Sequence, residues 1–178
     1  LNATFSAQWP NVTRNAQQTP PDADAWKGVP GKFDAHFSPE PGAGEVRVRL
    51  EGCGVCASNV EPYEGQPWST FPGEAGGLGH EGWGVVDAVG AGVTDVAVGD
   101  RVATLAGHSF ARYDVARADA VAVLPQALDG RPFPGEPLGC AMNIFRRSDI
   151  RAGQTVAIIG IGFLGAVLTR LATEAGAR

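Results

Sequence analysis

A mostly β chain that closes with the opening of a parallel α/β unit is what this sequence predicts, and three observations carry the reading. Short apolar or alternating runs recur about every ten residues from 45 to 124, and 25 glycines and 13 prolines supply the turns between them. From Gly135 the texture changes to a helix, a loop and a continuous apolar run over residues 155–159. That run leads directly into a glycine-spaced turn and an alanine- and leucine-rich helix, the pattern of a strand buried on both faces.

Composition narrows the function classes. Hydrophobic residues at 44% and charged residues at 19% fit an ordered chain rather than a disordered one. A formal net charge of −5 argues against nucleic acid or an anionic membrane as the main partner. No apolar run approaches the ~20 residues needed to span a bilayer. Three cysteines are too few and too odd in number for a secreted disulfide scaffold, which favours a reducing compartment.

Taken in order, residues 1–38 are polar and proline-bearing and read as an N-terminal arm, with one short strand around 31–37. The sequence divides next into residues 39–134 and residues 135–178. Pro39 to Gly44 is a turn cluster. Residues 45–51 alternate polar and apolar with period two, as a half-buried strand does. After Cys56, the prolines at 62, 67 and 72 break up any long element. Further strands are expected over 84–89, 101–105, 110–115 and 120–124. A helix is expected from Pro137 to Arg147, with proline in its first turn and arginines at its end. A second helix should run from the glycine turn to about Ala175.

Three stretches carry chemistry. Residues 79–93 read G-H-E-x2-G-x5-G-x2-V. His80 offers an imidazole to a metal, and Glu81 can bind the metal or tune it from behind. Taken alone, the pair reads equally well as a solvated turn. Cys53 and Cys56 form Cys-Gly-Val-Cys, either a redox pair or half a metal site; no second C-x2-C exists, so four-cysteine zinc is excluded. Gly160, Gly162 and Gly165 spell G-x-G-x-x-G after a predicted strand and before a predicted helix. That context favours backbone approach to a dinucleotide pyrophosphate over a bare strand-to-helix turn.

Together with Pro41-Gly42-Ala43-Gly44-Glu45-Val46-Arg47-Val48-Arg49, Val98-Gly99-Asp100-Arg101-Val102 and Glu136-Pro137-Leu138, these stretches resemble the zinc-dependent medium-chain dehydrogenases/reductases, the alcohol and polyol dehydrogenase superfamily. The likeness covers residues 39–178. It implies a partly open, GroES-like β-barrel followed by the first β-α unit of a Rossmann domain. It also implies a zinc-dependent oxidoreductase that passes a hydride between an alcohol or polyol, or the matching carbonyl, and NAD or NADP. One catalytic zinc is expected and no structural zinc, because residues 99–122 contain no cysteine. A small-molecule substrate, a cytoplasmic setting and a homo-oligomeric full-length protein are implied as well.

Carried onto this sequence, the resemblance makes Cys56 and His80 zinc ligands and Glu81 a neighbouring carboxylate that exchanges with water. Two residues compete for the third ligand. Relatives with Glu-Pro-Leu hold that glutamate about two dozen residues before the nucleotide turn, and Glu136 stands 24 before Gly160 whereas Cys140 stands 20 before it. Glu136 is therefore the expected ligand, with Cys140, the softer donor, as the alternative. Ser58 falls where the family relays the alcohol proton, and Cys53 reads as a small packed residue. Asn59 stands where the family usually has aspartate, and Glu61 where it often has the outer relay histidine. His108 reads as a surface histidine rather than a substrate contact. Trp68, Phe71 and Met142 are candidate pocket walls. Two other readings stay open: a zinc-free quinone-reductase relative and a non-catalytic barrel module. Metal content separates the first reading from both.

The fingerprint's ribose-binding acid should stand about 20 residues beyond the glycines, and the chain ends at Arg178. The sequence therefore reads as an N-terminal fragment with no dehydrogenase turnover of its own. Titration of NADH fluorescence against the purified chain is expected to show no saturable binding at micromolar concentration. Saturable micromolar binding would contradict this.

Overall fold

The computed structural model describes residues 39–63, 68 and 76–178. The arm over residues 1–38, its short strand, and Pro67, Phe71 and Pro72 lie outside the described residues. Five strands form one curled, half-barrel sheet: β1 (Glu45–Gly54), β2 (Glu81–Val89), β3 (Arg101–Thr104), β4 (Tyr113–Arg117) and β5 (Val121–Val123). A single turn of helix, α1 (Val60–Tyr63), follows β1, and two longer helices, α2 (Gly135–Arg147) and α3 (Phe163–Glu174), follow the sheet. The strand order is β4-β1-β2-β3-β5, and every pairing is antiparallel.

The period-two alternation read in the sequence produces the core directly. Val46 and Val48 on β1 point inward and meet Val86 on β2 and Val102 on β3, and all four are fully or almost fully buried. Val96 joins them, with Leu50, Val93, Ala118 and Val121 packed around the cluster. Charged residues hold the other face. Register shifts occur between Arg47 and Val48 and between Leu50 and Gly52. Each shift leaves an acidic residue unmatched in the ladder, and each of these residues finds an arginine. Asp87 accepts from Arg47 at 2.9 and 3.3 Å, and Glu51 accepts from Arg101 Nε at 2.7 Å. Bulges of this kind increase local twist, which bends a five-stranded sheet into a half-barrel.

Two expectations need correcting. The strand predicted over 110–115 starts later, at Tyr113, because the backbone before it is used elsewhere: Ser109 N–H donates to Gly79 O (2.9 Å) and Phe110 N–H to Gly76 O (3.1 Å). The run 155–159 forms no strand of a sheet. Its one partner of that kind among the described residues is Arg178, which donates to Gln154 O (2.8 Å) and accepts from Val156 N–H (2.7 Å). Those two bonds straddle residue 155 in the parallel pattern. α2 packs against β2, β3 and α3. Ile159 is fully exposed, and Ile161 and Phe163 are more than half exposed. Among the described residues no helix is long and apolar enough to cross a membrane.

Truncating the centre of the core tests this arrangement. Val48→Ala should lower stability by about 2 kcal/mol, seen as a lower urea midpoint at unchanged slope. Val98→Ala, at a side chain 60% exposed, should change it by less than about 0.5 kcal/mol. Equal effects of the two would show that Val48 is not where the core sits.

Candidate metal centre

Two turns at one end of the sheet, after β1 and before β2, build the site. The first follows β1, where the chain leaves Gly54, passes Cys56 and tightens into a 3-10 turn over Ala57–Asn59. Cys56 N–H donates to Asn59 Oδ1 (2.9 Å), and Asn59 N–H returns to Cys56 O (3.0 Å). The second turn, residues 76–80, feeds β2. Asn59 joins the two, since its buried amide donates through Nδ2 to Leu78 O (2.8 Å).

Leu78 adopts φ +72°, left-handed backbone that costs a residue with a branched side chain about 1–2 kcal/mol. The conformation turns its carbonyl toward both neighbours, and His80 Nδ1 lies 2.9 Å from the same oxygen. A carbonyl only accepts, so Nδ1 carries the proton and Nε2 keeps its lone pair. Fixing the tautomer through a backbone carbonyl is the usual support for a metal-binding histidine.

Glu81 opens β2 and is only 7% exposed. It pairs with Gly54 across the ladder, and a Cβ at position 54 would lie 1.9 Å from Glu81 Oε2. Glycine there leaves room for the carboxylate where it stands. Sγ of Cys56, a ring nitrogen of His80 and a carboxylate oxygen of Glu81 all lie within 4.8 Å of one another. The set suits a borderline-soft divalent ion such as zinc, with one thiolate, one imidazole and one carboxylate.

The local electrostatics agree with that donor set. The Ser58 hydroxyl, then the Ser58 backbone N–H, then His80 hold the Cys56 thiol below its ordinary pKa, toward the thiolate that binds metals. Burial opposes charge on His80, but Cys56, the Leu78 carbonyl and Glu136 outweigh it and raise the imidazole. Burial instead pushes the Cys53 thiol up to about 11, so this cysteine is a neutral packed group that donates to Gly54 O (3.2 Å).

Helix α2 brings Glu136 and Cys140 to the same corner, one turn apart. Cys140 Sγ donates to Glu136 Oε1 at 2.9 Å. That bond, then burial, pushes the Cys140 thiol up to about 11. The Glu136 charge reaches His80, but Glu136 is not in the 4.8 Å group. Ser58 is exposed beside the Cys56 sulfur, and Glu61 is exposed on α1. His108 is half-buried, and its backbone N–H donates to Asp114. Trp68 and Met142 are more than half exposed.

The glycines of the second motif sit at the start of α3. Gly160 has φ +92°, and a Cβ on Gly165 would lie 1.9 Å from Gly160 O, so the helix begins hard against the preceding turn. Gly162 caps the helix with no side chain, and the first turn carries no acid. Sequence reasoning did not see the role of Leu78, whose only signal is its setting among Gly76, Gly77 and Gly79. It flagged Asn59 only as a departure from a pattern.

A curled antiparallel half-barrel with a Cys-His-Glu cluster at the ends of its central strands defines a class, the GroES-like domain of dehydrogenases, and the comparisons agree. Residues 42–126 match the alcohol dehydrogenase GroES-like domain, and residues 1–38 match a domain of unknown function (DUF3470). An alcohol dehydrogenase of Moraxella sp. (strain TAE123) is 32% identical across 78% of this chain and 50% of its own length. A sorbitol dehydrogenase of Halalkalibacterium halodurans is 30% identical across 82% and 51%. Among solved structures, a protein from Sinorhizobium meliloti 1021 described as a zinc-binding dehydrogenase bound to NADP superposes with a TM-score of 0.66 at 30% identity. It covers 78% of this chain and 48% of its own. The chain belongs to the medium-chain dehydrogenase/reductase, or alcohol dehydrogenase, superfamily, and it spans about half the length of the curated relatives it matches.

Proposed function

We propose that this chain is the metal-binding part of a zinc- and NAD(P)-dependent dehydrogenase acting on an alcohol, a polyol or the matching carbonyl compound. The observation that carries the reading is the convergence of Cys56, His80 and Glu81 within 4.8 Å, with the histidine tautomer set by Leu78. Cys56 and His80 serve as ligands through Sγ and Nε2. Glu136 is the third ligand: it stands 24 residues before Gly160, the spacing of relatives with Glu-Pro-Leu, and α2 carries it to the corner of the site where the Cys140 thiol donates to its carboxylate. Glu81, fixed against Gly54, is the neighbouring carboxylate that could bind the ion in exchange with water. Zinc held there would supply a Lewis acid to the oxygen of the alcohol or carbonyl.

The chain's own residues do the rest. Ser58, exposed beside Cys56, accepts the proton that leaves the alcohol and passes it toward solvent. Gly160, Gly162 and Gly165 admit the cofactor pyrophosphate to the first turn of α3, where helix N–H groups favour negative charge. Family membership supports a small-molecule substrate, a cytoplasmic setting and a homo-oligomeric full-length protein.

Metal analysis of the purified chain should give about one zinc per chain, lost in Cys56→Ser. Zinc affinity should fall further in Glu136→Ala than in Cys140→Ala. A larger loss in the cysteine variant would make Cys140 the ligand, and a metal-free wild-type chain would leave the zinc-free reading.

A further inference from the structure

We propose that Asp114, a buried carboxylate on β4, is a positioning residue for the turn that carries His80 and Glu81, acting through the loop of residues 108–110. The inference rests on the metal-site reading above. It starts from a residue out of place. Asp114 pairs with Val48, alternates with buried Ala116, and is 3% exposed, so the sheet pattern calls for an aliphatic side chain there. Burying a carboxylate costs several kcal/mol unless donors surround it.

Three donors do. Oδ2 accepts from Ser109 Oγ (2.8 Å) and from His108 N–H (3.0 Å), and Oδ1 accepts from Val115 N–H (2.8 Å). Two of the three lie on the loop before the strand, and that loop lies against the metal-ligand turn. Ser109 N–H donates to Gly79 O and Phe110 N–H to Gly76 O. The packing is close on both sides of His80 and Glu81. A Cβ on Gly79 would lie 2.2 Å from Phe110 N, and a Cβ on Gly82 would lie 2.5 Å from Ser109 Oγ. One carboxylate thus fixes the serine that braces the residue before His80 and the residue after Glu81. Asp114 acts through Ser109 and the loop backbone, so the effect is on where the ligands stand.

Co2+ titration of the full chain tests this, with the visible thiolate-to-metal band as the readout. Asp114→Ala should weaken Co2+ binding about tenfold, in the range known for groups that orient metal ligands. Ser109→Ala, which leaves Asp114 two of its donors and is the variant expected to fold without difficulty, should weaken it about threefold. Val48→Ala, at the position paired with Asp114, serves as the stability control and should keep wild-type affinity well below its unfolding temperature. Wild-type affinity in Ser109→Ala together with Asp114→Ala or Asp114→Asn would overturn the proposal, as would an equal loss in Val48→Ala. A wild-type chain with no Cys56-dependent band would instead remove the metal-site reading itself, which is a separate outcome.

Discussion

The carbonyl oxygen of Leu78 is the point through which the two halves of the site are held in register. It accepts from Asn59 Nδ2 on one side and from His80 Nδ1 on the other, with Leu78 in left-handed backbone. Asn59 in turn fixes the backbone N–H of Cys56. The thiol and the imidazole come from segments more than twenty residues apart in sequence, joined by one amide and one carbonyl. The strain at Leu78, about 1–2 kcal/mol, is offset by two hydrogen bonds worth about 1 kcal/mol each.

The sheet makes that meeting possible. Bulges at Asp87 and Glu51 bend β1 and β2, and each bulged acid is held by an arginine, so the curvature is pinned rather than left soft. Arg47 also lies over the Tyr113 ring at 5.4 Å, tying β4 to the same network. Arg101 reaches past Glu51 to the carbonyls of Leu128 and Arg131 (2.7 and 2.6 Å), which fastens the segment leading to α2. The segment leading to α2, the helix that carries Glu136, is thus tied to the bulged residue of β1.

Much of this was legible in the sequence, for reasons particular to each element. The alternation over residues 45–51 fixed which valines face inward, and the glycine-spaced motif announced β2 and the histidine at its entrance. The strand near 110 was misplaced because Phe110, Tyr113 and Val115 all favour extended structure. What decides its start is that the amides of Ser109 and Phe110 belong to the neighbouring turn. The run 155–159 has the composition of a buried strand, but a ladder needs neighbours, and composition says nothing about them. The closeness of Glu81 to Cys56 was expected through the family resemblance alone, since it depends on the bulged register that sets Gly54 opposite Glu81. Leucine gives no warning of a positive φ. Only its glycine neighbours do.

The central claim is that Cys56 and His80, joined through Leu78, bind one zinc ion together with a carboxylate. X-ray absorption at the zinc edge of the chain loaded with one equivalent reads the donor set directly. The expected result is one sulfur at about 2.3 Å with nitrogen and oxygen donors at about 2.0–2.1 Å. A first shell with no sulfur, or with two, would contradict it.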